Sequence, residues 1–177
     1  MNRLHHVKQQ VERSFARQLS EDRSALVADI ATMQPEEFLT RHAALIDAYI
    51  MDSFEASQVG PRMDFIANPY AIIALGGYGR AEQCVHSDVD LLFLFQKKVP
   101  SAAEELIREI VYPLWDLKIE VGYATRSIDD SLNLADEDYE ILTSILDARF
   151  ICGSSAAFAR LKEQFRRKII AKRADRI

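Results

Sequence analysis

The sequence predicts an α+β fold: a small mixed sheet, with helices before it and after it. Three observations point there. Residues 2–57 show no strand-like alternation and almost no glycine or proline, but place Leu4, Val7, Val11, Phe15 and Leu19 at helical spacing. Tyr70 to Leu75 and Asp88 to Phe95 read as strands separated by a glycine-rich turn and a short helical piece, and Lys118 to Thr125 alternates and is rich in strand formers. At 177 residues the chain suits one domain with helical appendages. The expected division is a helical region over 1–58, a central unit over 62–152, and a C-terminal helix over 153–177 that continues into further domains.

Taken in order, the apolar stripe from Leu4 to Leu19 predicts a first helix. A second starts near Ser20 or Asp22, with Leu26, Val27 and Ile30 on its apolar side. Gln34-Pro35-Glu36-Glu37 opens a third, Pro35 falling in the first turn, and Phe38, Leu39, Ala43, Leu45, Ile46, Tyr49 and Ile50 face the core. These stripes read as packing faces. His5 and His6 are adjacent, so on a helix they point in different directions and make a poor metal pair. Gln58-Val59-Gly60-Pro61-Arg62 reads as a linker, because Gly-Pro punctuates a change of element.

After the second strand, Lys97 to Ser101 is a turn, and Ser101 with Glu104 fits a capping box for a helix through Ile107, Ile110, Val111 and Leu114. Pro113 kinks or interrupts that helix. The third strand, Lys118 to Thr125, is followed by a helix capped by Ser127 or Asp129 and running through Leu132 and Leu134. Another helix spans Tyr139 to Phe150. A long terminal helix covers Ser154 to about Lys172, its Arg160, Lys162, Arg166, Arg167, Lys168, Lys172, Arg173 and Arg176 forming a solvated basic face.

Composition narrows the function. With 49% apolar and 28% charged residues the chain is of ordinary soluble type, and a net charge of -5 argues against a dedicated nucleic-acid binder, so no DNA partner is expected. No apolar run is long enough to span a membrane, and the N-terminus has no signal-peptide pattern. Cys84 and Cys152 stand apart without metal or redox spacing, which reads as reduced thiols in a cytoplasmic protein.

The chemistry concentrates between Tyr70 and Gln96. Gly76, Gly77 and Gly79 let the backbone come close to a bulky anion, and a turn of this kind opening a helix favours phosphate. Asp88 and Asp90 lie two apart on an extended segment and share one face, while Val89 takes the other. That pair suits Mg2+, or Mn2+, which is held by one or two carboxylates together with substrate phosphates. The Gly-x4-Gly-Lys-Ser/Thr spacing of a P-loop is absent.

Gly76-Gly77, ten intervening residues, then Asp88-Val89-Asp90 at the start of an apolar strand resembles the signature of the nucleotidyltransferase superfamily, with its polymerase-beta-like fold. Gly76 to Arg80, Ser87 to Leu94, Leu114 to Leu117, Glu120 to Gly122, Arg126 and Ile145-Leu146-Asp147-Ala148-Arg149 resemble the N-terminal catalytic domain of the bacterial PII-protein uridylyltransferase (uridylyl-removing enzyme) family, over roughly Ala44 to Phe165. Ala81 and Gln83 stand where that family usually has Gly and Leu, Val85 replaces a common Pro, and Tyr123 a frequent His. Gly-Arg-Ala-Glu-Gln is similar instead to nucleotidyltransferases found beside CBS and cyclic-nucleotide-binding regulatory domains. These departures bear on the base and the acceptor, and leave the metal pair intact.

The resemblance implies an Mg2+-dependent transferase that takes an NTP and places UMP from UTP, with AMP as the alternative, on a protein hydroxyl. For the uridylyltransferases that acceptor is a tyrosine on a PII-type nitrogen-signalling protein, which implies a role in signal transduction and nitrogen regulation. Asp88 and Asp90 would hold the metal, and a third acid from a neighbouring strand completes the clamp. Glu120, flanked by Ile119 and Val121, is the candidate for both metal binding and catalysis, and Asp116 is its competitor. Gly76, Gly77, Arg80 and Ser87 would bind the nucleotide, Arg80 reaching the phosphates unless it pairs with Glu82 or Asp88. Tyr78 and His86 would shape the rim. Nothing resembles the family's histidine-aspartate hydrolase or amino-acid-sensing domains, so uridylyl removal is not expected of this chain, which reads as a catalytic piece of a longer protein. The reading from another class is a non-catalytic regulatory domain that binds a nucleotide or docks a partner on the same scaffold.

Overall fold

The computed structural model describes residues 2–60, 63 and 66–171, with side chains from Ser14 onward. The side chains of Leu4, His5, His6, Val7 and Val11, and Pro61, Arg62, Lys172, Arg173 and Arg176 altogether, lie outside the described residues. The chain divides into two compact units that interleave along the sequence: one of 1–63, 81–89 and 102–122, the other of 64–80, 90–101 and 123–177.

The first unit is helical. Helix α1 covers Asn2–Ala28 without a break, in place of the predicted first helix and a second starting near Ser20 or Asp22. Those residues look like a cap, but Arg17 pairs with Glu21 and Gln18 with Asp22 one turn on, at 2.8 and 2.9 Å, and Ser24 donates back to the Ser20 carbonyl at 2.7 Å. Such neighbours support a continuous helix. A short 3-10 turn, Ile30–Thr32, leads to α2, Pro35–Ala56, with Pro35 in its first turn as predicted. Helix α4, Ala103–Asp116, runs through Pro113 rather than ending there. Its N-cap is Ala102, with no side-chain cap bond, and the predicted Ser101–Glu104 box does not form because Glu104 takes Arg108 of the next turn instead.

Leu19, Leu26, Phe38, Ile46, Ile50, Leu106 and Ile110 are buried in this unit. Tyr49 donates to the Ile110 carbonyl at 3.0 Å, and Ser57 donates to Glu109 while its oxygen accepts the Gly60 N–H at 2.8 Å.

The second unit carries a four-stranded mixed sheet in the order β3-β2-β1-β4, where β1 is Tyr70–Ala74, β2 Val89–Phe95, β3 Val121–Ser127 and β4 Arg149–Gly153. Val89 and the first two residues of β3 count with the first unit. β1 is buried along its whole length, which is why its sequence is an unbroken apolar run rather than an alternation. It pairs antiparallel with β2, Tyr70 opposite Phe95 and Ala74 opposite Leu91, and antiparallel with β4 across an irregularity between Ile72 and Ile73.

The glycine turn is the short helix α3, Gly76–Gly79. Helices α5, Ile128–Glu137, α6, Tyr139–Leu146, and α7, Ser155–Phe165, pack Ile128, Leu132, Ile145, Leu161 and Phe165 into one cluster with Ile73, Leu92 and Leu94. Ser127 caps α5 in a reciprocal box with Asp130. The predicted helix from Tyr139 to Phe150 ends at Leu146, and the chain then enters β4. The long terminal helix becomes α7 and a π-helical turn, Arg166–Ile170, on which Arg160, Arg166, Arg167 and Lys168 are exposed as predicted. Cys84 is exposed, Cys152 buried, and both are free thiols.

In the first unit, Arg23 on α1 donates Nε–H to His42 Nε2 on α2 at 2.8 Å, and His42 is 1% exposed. Burial holds the His42 imidazole below its ordinary range; the Gln83 carbonyl at Nδ1 opposes that and the Arg23 charge adds to it. The unfolded ring titrates near its ordinary value, roughly pH 6.5. Below that, the unfolded chain binds a proton that the folded chain refuses, so stability is full above about pH 6.5 and falls as pH drops toward the lower folded value. Urea unfolding at pH 8, 6 and 5 should show this loss, and His42→Gln should shrink it. An equal slope in the two proteins would contradict the burial assigned to His42.

Candidate active site

The glycine turn is set by strand pairing. Opposite the last β1 residue, Ala74, stands Leu91, and one step further Leu75 N–H donates to the Asp90 carbonyl at 2.9 Å. Gly76 therefore emerges beside the start of β2. It adopts φ +55°, a left-handed conformation that costs L side chains roughly 1 kcal/mol or more, and a Cβ added there would lie 3.4 Å from Asp90 Oδ2. The backbone conformation favours glycine here, while the Asp90 carboxylate would make only an ordinary contact with an added Cβ. The predicted phosphate turn and the predicted metal-binding Asp90 thus meet within the second unit.

The rest of the turn is braced by residues that sequence reasoning assigned elsewhere. Arg149 at the start of β4 donates Nε–H to the Gly79 carbonyl at 3.2 Å and Nη2–H to the Tyr78 carbonyl at 3.1 Å. Its guanidinium also lies 5.3 Å from the centre of the Tyr78 ring. Tyr78 is fully buried, so it is part of this brace and not of an exposed rim. Gly79 packs so closely that a Cβ there would overlap the Asp147 carbonyl oxygen.

Arg80 is exposed, and its Nη1 pairs with Asp147 Oδ2 at 2.5 Å. Asp147 follows α6, whose last carbonyls, Ile145 and Leu146, accept from Lys162 Nζ at 3.2 and 3.0 Å. Burial lowers the Lys162 ammonium from its ordinary range; Arg166 adds to this and Asp147 opposes it.

Ser87, Asp88 and Glu120 belong to the first unit and are exposed. Val89 N–H donates to the Glu120 carbonyl at 2.9 Å, so Glu120 lies beside the start of β2 although β3 itself begins at Val121. Val89 and Ile119 are buried at 0% and 4% while the acids next to them are exposed, which fits the predicted alternation. Asp116 ends α4 and is exposed, as is His86. Ser87 presents its carbonyl to Gln83 Nε2 at 2.6 Å. Among the described residues no three His, Cys, Asp or Glu side chains gather into a group able to hold a metal by themselves. Paired aspartates fit Mg2+ only when substrate oxygens complete its octahedron.

Residues 17–127 match the family described as "Putative nucleotidyltransferase DUF294". The chain belongs to that family. It is also similar to three proteins named bifunctional uridylyltransferase/uridylyl-removing enzyme. The one from Cereibacter sphaeroides is 37% identical over 158 residues, which is 83% of this chain and 17% of the relative. Those from Azospirillum brasilense and Phenylobacterium zucineum are 41% and 44% identical over 58% and 56% of this chain, and 11% of each relative. The chain thus spans less than a fifth of the length of the curated relatives it matches. The family match takes in the glycine turn, Asp88, Asp90 and Glu120, and stops before Asp147 and Arg149.

The packing at Gly79 can be tested. Gly79→Ala should cost about 3 kcal/mol, since overpacking against backbone leaves nothing flexible to yield. For a domain of this size that is a fall of roughly 6–12 °C in Tm. An unchanged Tm would show that Asp147 does not press on the turn.

Proposed function

We propose that this member of the nucleotidyltransferase family transfers UMP from UTP to a hydroxyl of a protein, with Mg2+ as cofactor and a PII-type signalling protein as the acceptor class. One observation carries the reading: Gly76, in a conformation that suits glycine, stands against the Asp90 carboxylate, which puts a close-approach turn and a hard anionic ligand at one point. The names of the relatives support uridylyl as the transferred group.

In the reaction, the acceptor hydroxyl oxygen forms a bond to the α-phosphorus as the bond from that phosphorus to the bridging oxygen of the β-phosphate breaks. Pyrophosphate leaves with the electron pair. Bound Mg2+, held by Asp88 and Asp90, would offset charge on the phosphates and favour ionisation of the acceptor hydroxyl. Glu120, whose main-chain carbonyl accepts the Val89 N–H, would take the hydroxyl proton. The Gly76–Gly77 backbone would approach the triphosphate, and Arg80, now paired with Asp147, would add a cation for a phosphate oxygen.

The test is incubation with each labelled NTP, Mg2+ and candidate acceptor proteins. UTP should label a PII-type protein, and Asp88→Asn with Asp90→Asn should abolish both the labelling and the rise in Tm given by Mg2+ and UTP. Glu120→Gln should retain UTP binding and slow transfer by about 100-fold or more, the usual worth of a positioned base. Asp116→Asn should change neither. Nucleotide binding with no transfer to any acceptor would favour a regulatory domain instead.

A further inference from the structure

The segment that delivers Asp88 to the site, residues 81–88, has no regular secondary structure. Its carbonyls must find donors elsewhere, because buried or half-buried backbone oxygens are costly to leave unpaired. Side chains supply them. His42 Nδ1 lies 3.0 Å from the Gln83 carbonyl, and Arg23 Nη2 donates to the Val85 carbonyl at 2.6 Å. Gln83 Nε2 donates to the Ser87 carbonyl at 2.6 Å and reaches the Asp88 carbonyl at 3.4 Å. Four carbonyls in a stretch of six residues are therefore held by three side chains, two of them on helices far away in sequence.

The set is mutually constrained. Arg23 can only donate, so its 2.8 Å bond to His42 Nε2 requires that nitrogen to be the bare acceptor, which leaves the proton on Nδ1 to reach Gln83. Phe38 stacks on the ring with centroids 5.7 Å apart. Gln83 is 1% exposed, and its Oε1 is buried without a partner. Turning the amide over would relieve that oxygen only by aiming it at the Ser87 and Asp88 carbonyls. The segment thus carries an unmet acceptor, at a cost of roughly 1–3 kcal/mol, and keeps the two bonds next to Asp88.

We propose that Arg23 and His42, through Gln83, are positioning residues for Asp88: the α1–α2 pair sets where the first carboxylate of the Asp88-Val89-Asp90 motif is held. This rests on the reading of Asp88 as a ligand of the metal-bound nucleotide. Residues that orient a ligand without touching the ion typically contribute 10- to 100-fold in metal affinity.

The experiment uses the full chain and two readouts. Hydrogen exchange of residues 81–89 in the metal-free protein reports the segment itself, and titration with Mn2+ and UTP reports the site. His42→Leu should speed exchange in 81–89 and weaken Mn2+–UTP binding by at least tenfold, while Asp88→Asn abolishes binding without loosening the segment. His42→Gln, which offers a donor and an acceptor again, should recover most of the affinity. If His42→Leu does not fold, Arg23→Gln, at a half-buried position, takes its place with the same expectation. Unchanged affinity in a folded variant with faster exchange would overturn the proposal, as would His42→Gln behaving like His42→Leu. A wild-type chain that fails to bind Mn2+–UTP would instead refute the function proposed for the site, and this inference with it.

Discussion

The geometry at the end of β1 depends on a residue that has no side chain. Gly76 turns the chain out of the sheet with φ +55° while Asp90 stands where its Cβ would meet a carboxylate. Any other residue there would strain the backbone and bring a side chain into contact with the acid. The rest of the second unit makes that turn dependable: β1 is fixed between β2 and β4, and Arg149 occupies the outer carbonyls of α3. The family match, over residues 17–127, includes Gly76 and Asp90.

Much of this was legible in the sequence because it is local. The glycine spacing, the Asp88-Val89-Asp90 alternation, the Pro35 helix start and the Ser127 cap each involve residues within one or two turns of one another. The features that escaped it are non-local, or local with two solutions. Ser20 and Asp22 fit a cap as well as a helix interior, and only the pairs with Arg17 and Gln18 decide between them. Phe150-Ile151-Cys152 continues the apolar side of α6, so periodicity alone extends the helix; β4 is a strand because β1 offers it an open edge. The Arg80–Asp147 pair joins residues 67 apart and became visible only once β4 was in place. The assignment of Tyr78 to a rim failed for the same reason, since the cation above its ring comes from β4.

The irregular segment before Asp88 illustrates a different limit. The sequence reads there as a short helical piece, whereas residues 81–88 have no regular secondary structure, and nothing in Ala81 to Ser87 by itself says that the segment is held rigidly. The donors that hold it sit on α1 and α2, whose apolar stripes read as packing and conceal Arg23 and His42 among them. A positive φ of 58° at Ala81, unusual for a residue with a Cβ, shows that the segment is bent to a particular course.

Under the proposed function, the ion pair of Arg80 with Asp147 changes how phosphate affinity at this site would be counted. An arginine waiting in water gains the whole of a new phosphate contact, whereas this one exchanges one anionic partner for another. Its contribution is a difference between two attractions, smaller than either, and the carboxylate left behind resists the exchange. Ionic strength then acts on both sides of the balance, screening the resting pair as well as the bound one, so the salt sensitivity of nucleotide binding through Arg80 is muted relative to that of an unengaged guanidinium. Selectivity would gain where affinity does not, since a weakly charged anion competes poorly with Asp147 and a triphosphate competes better.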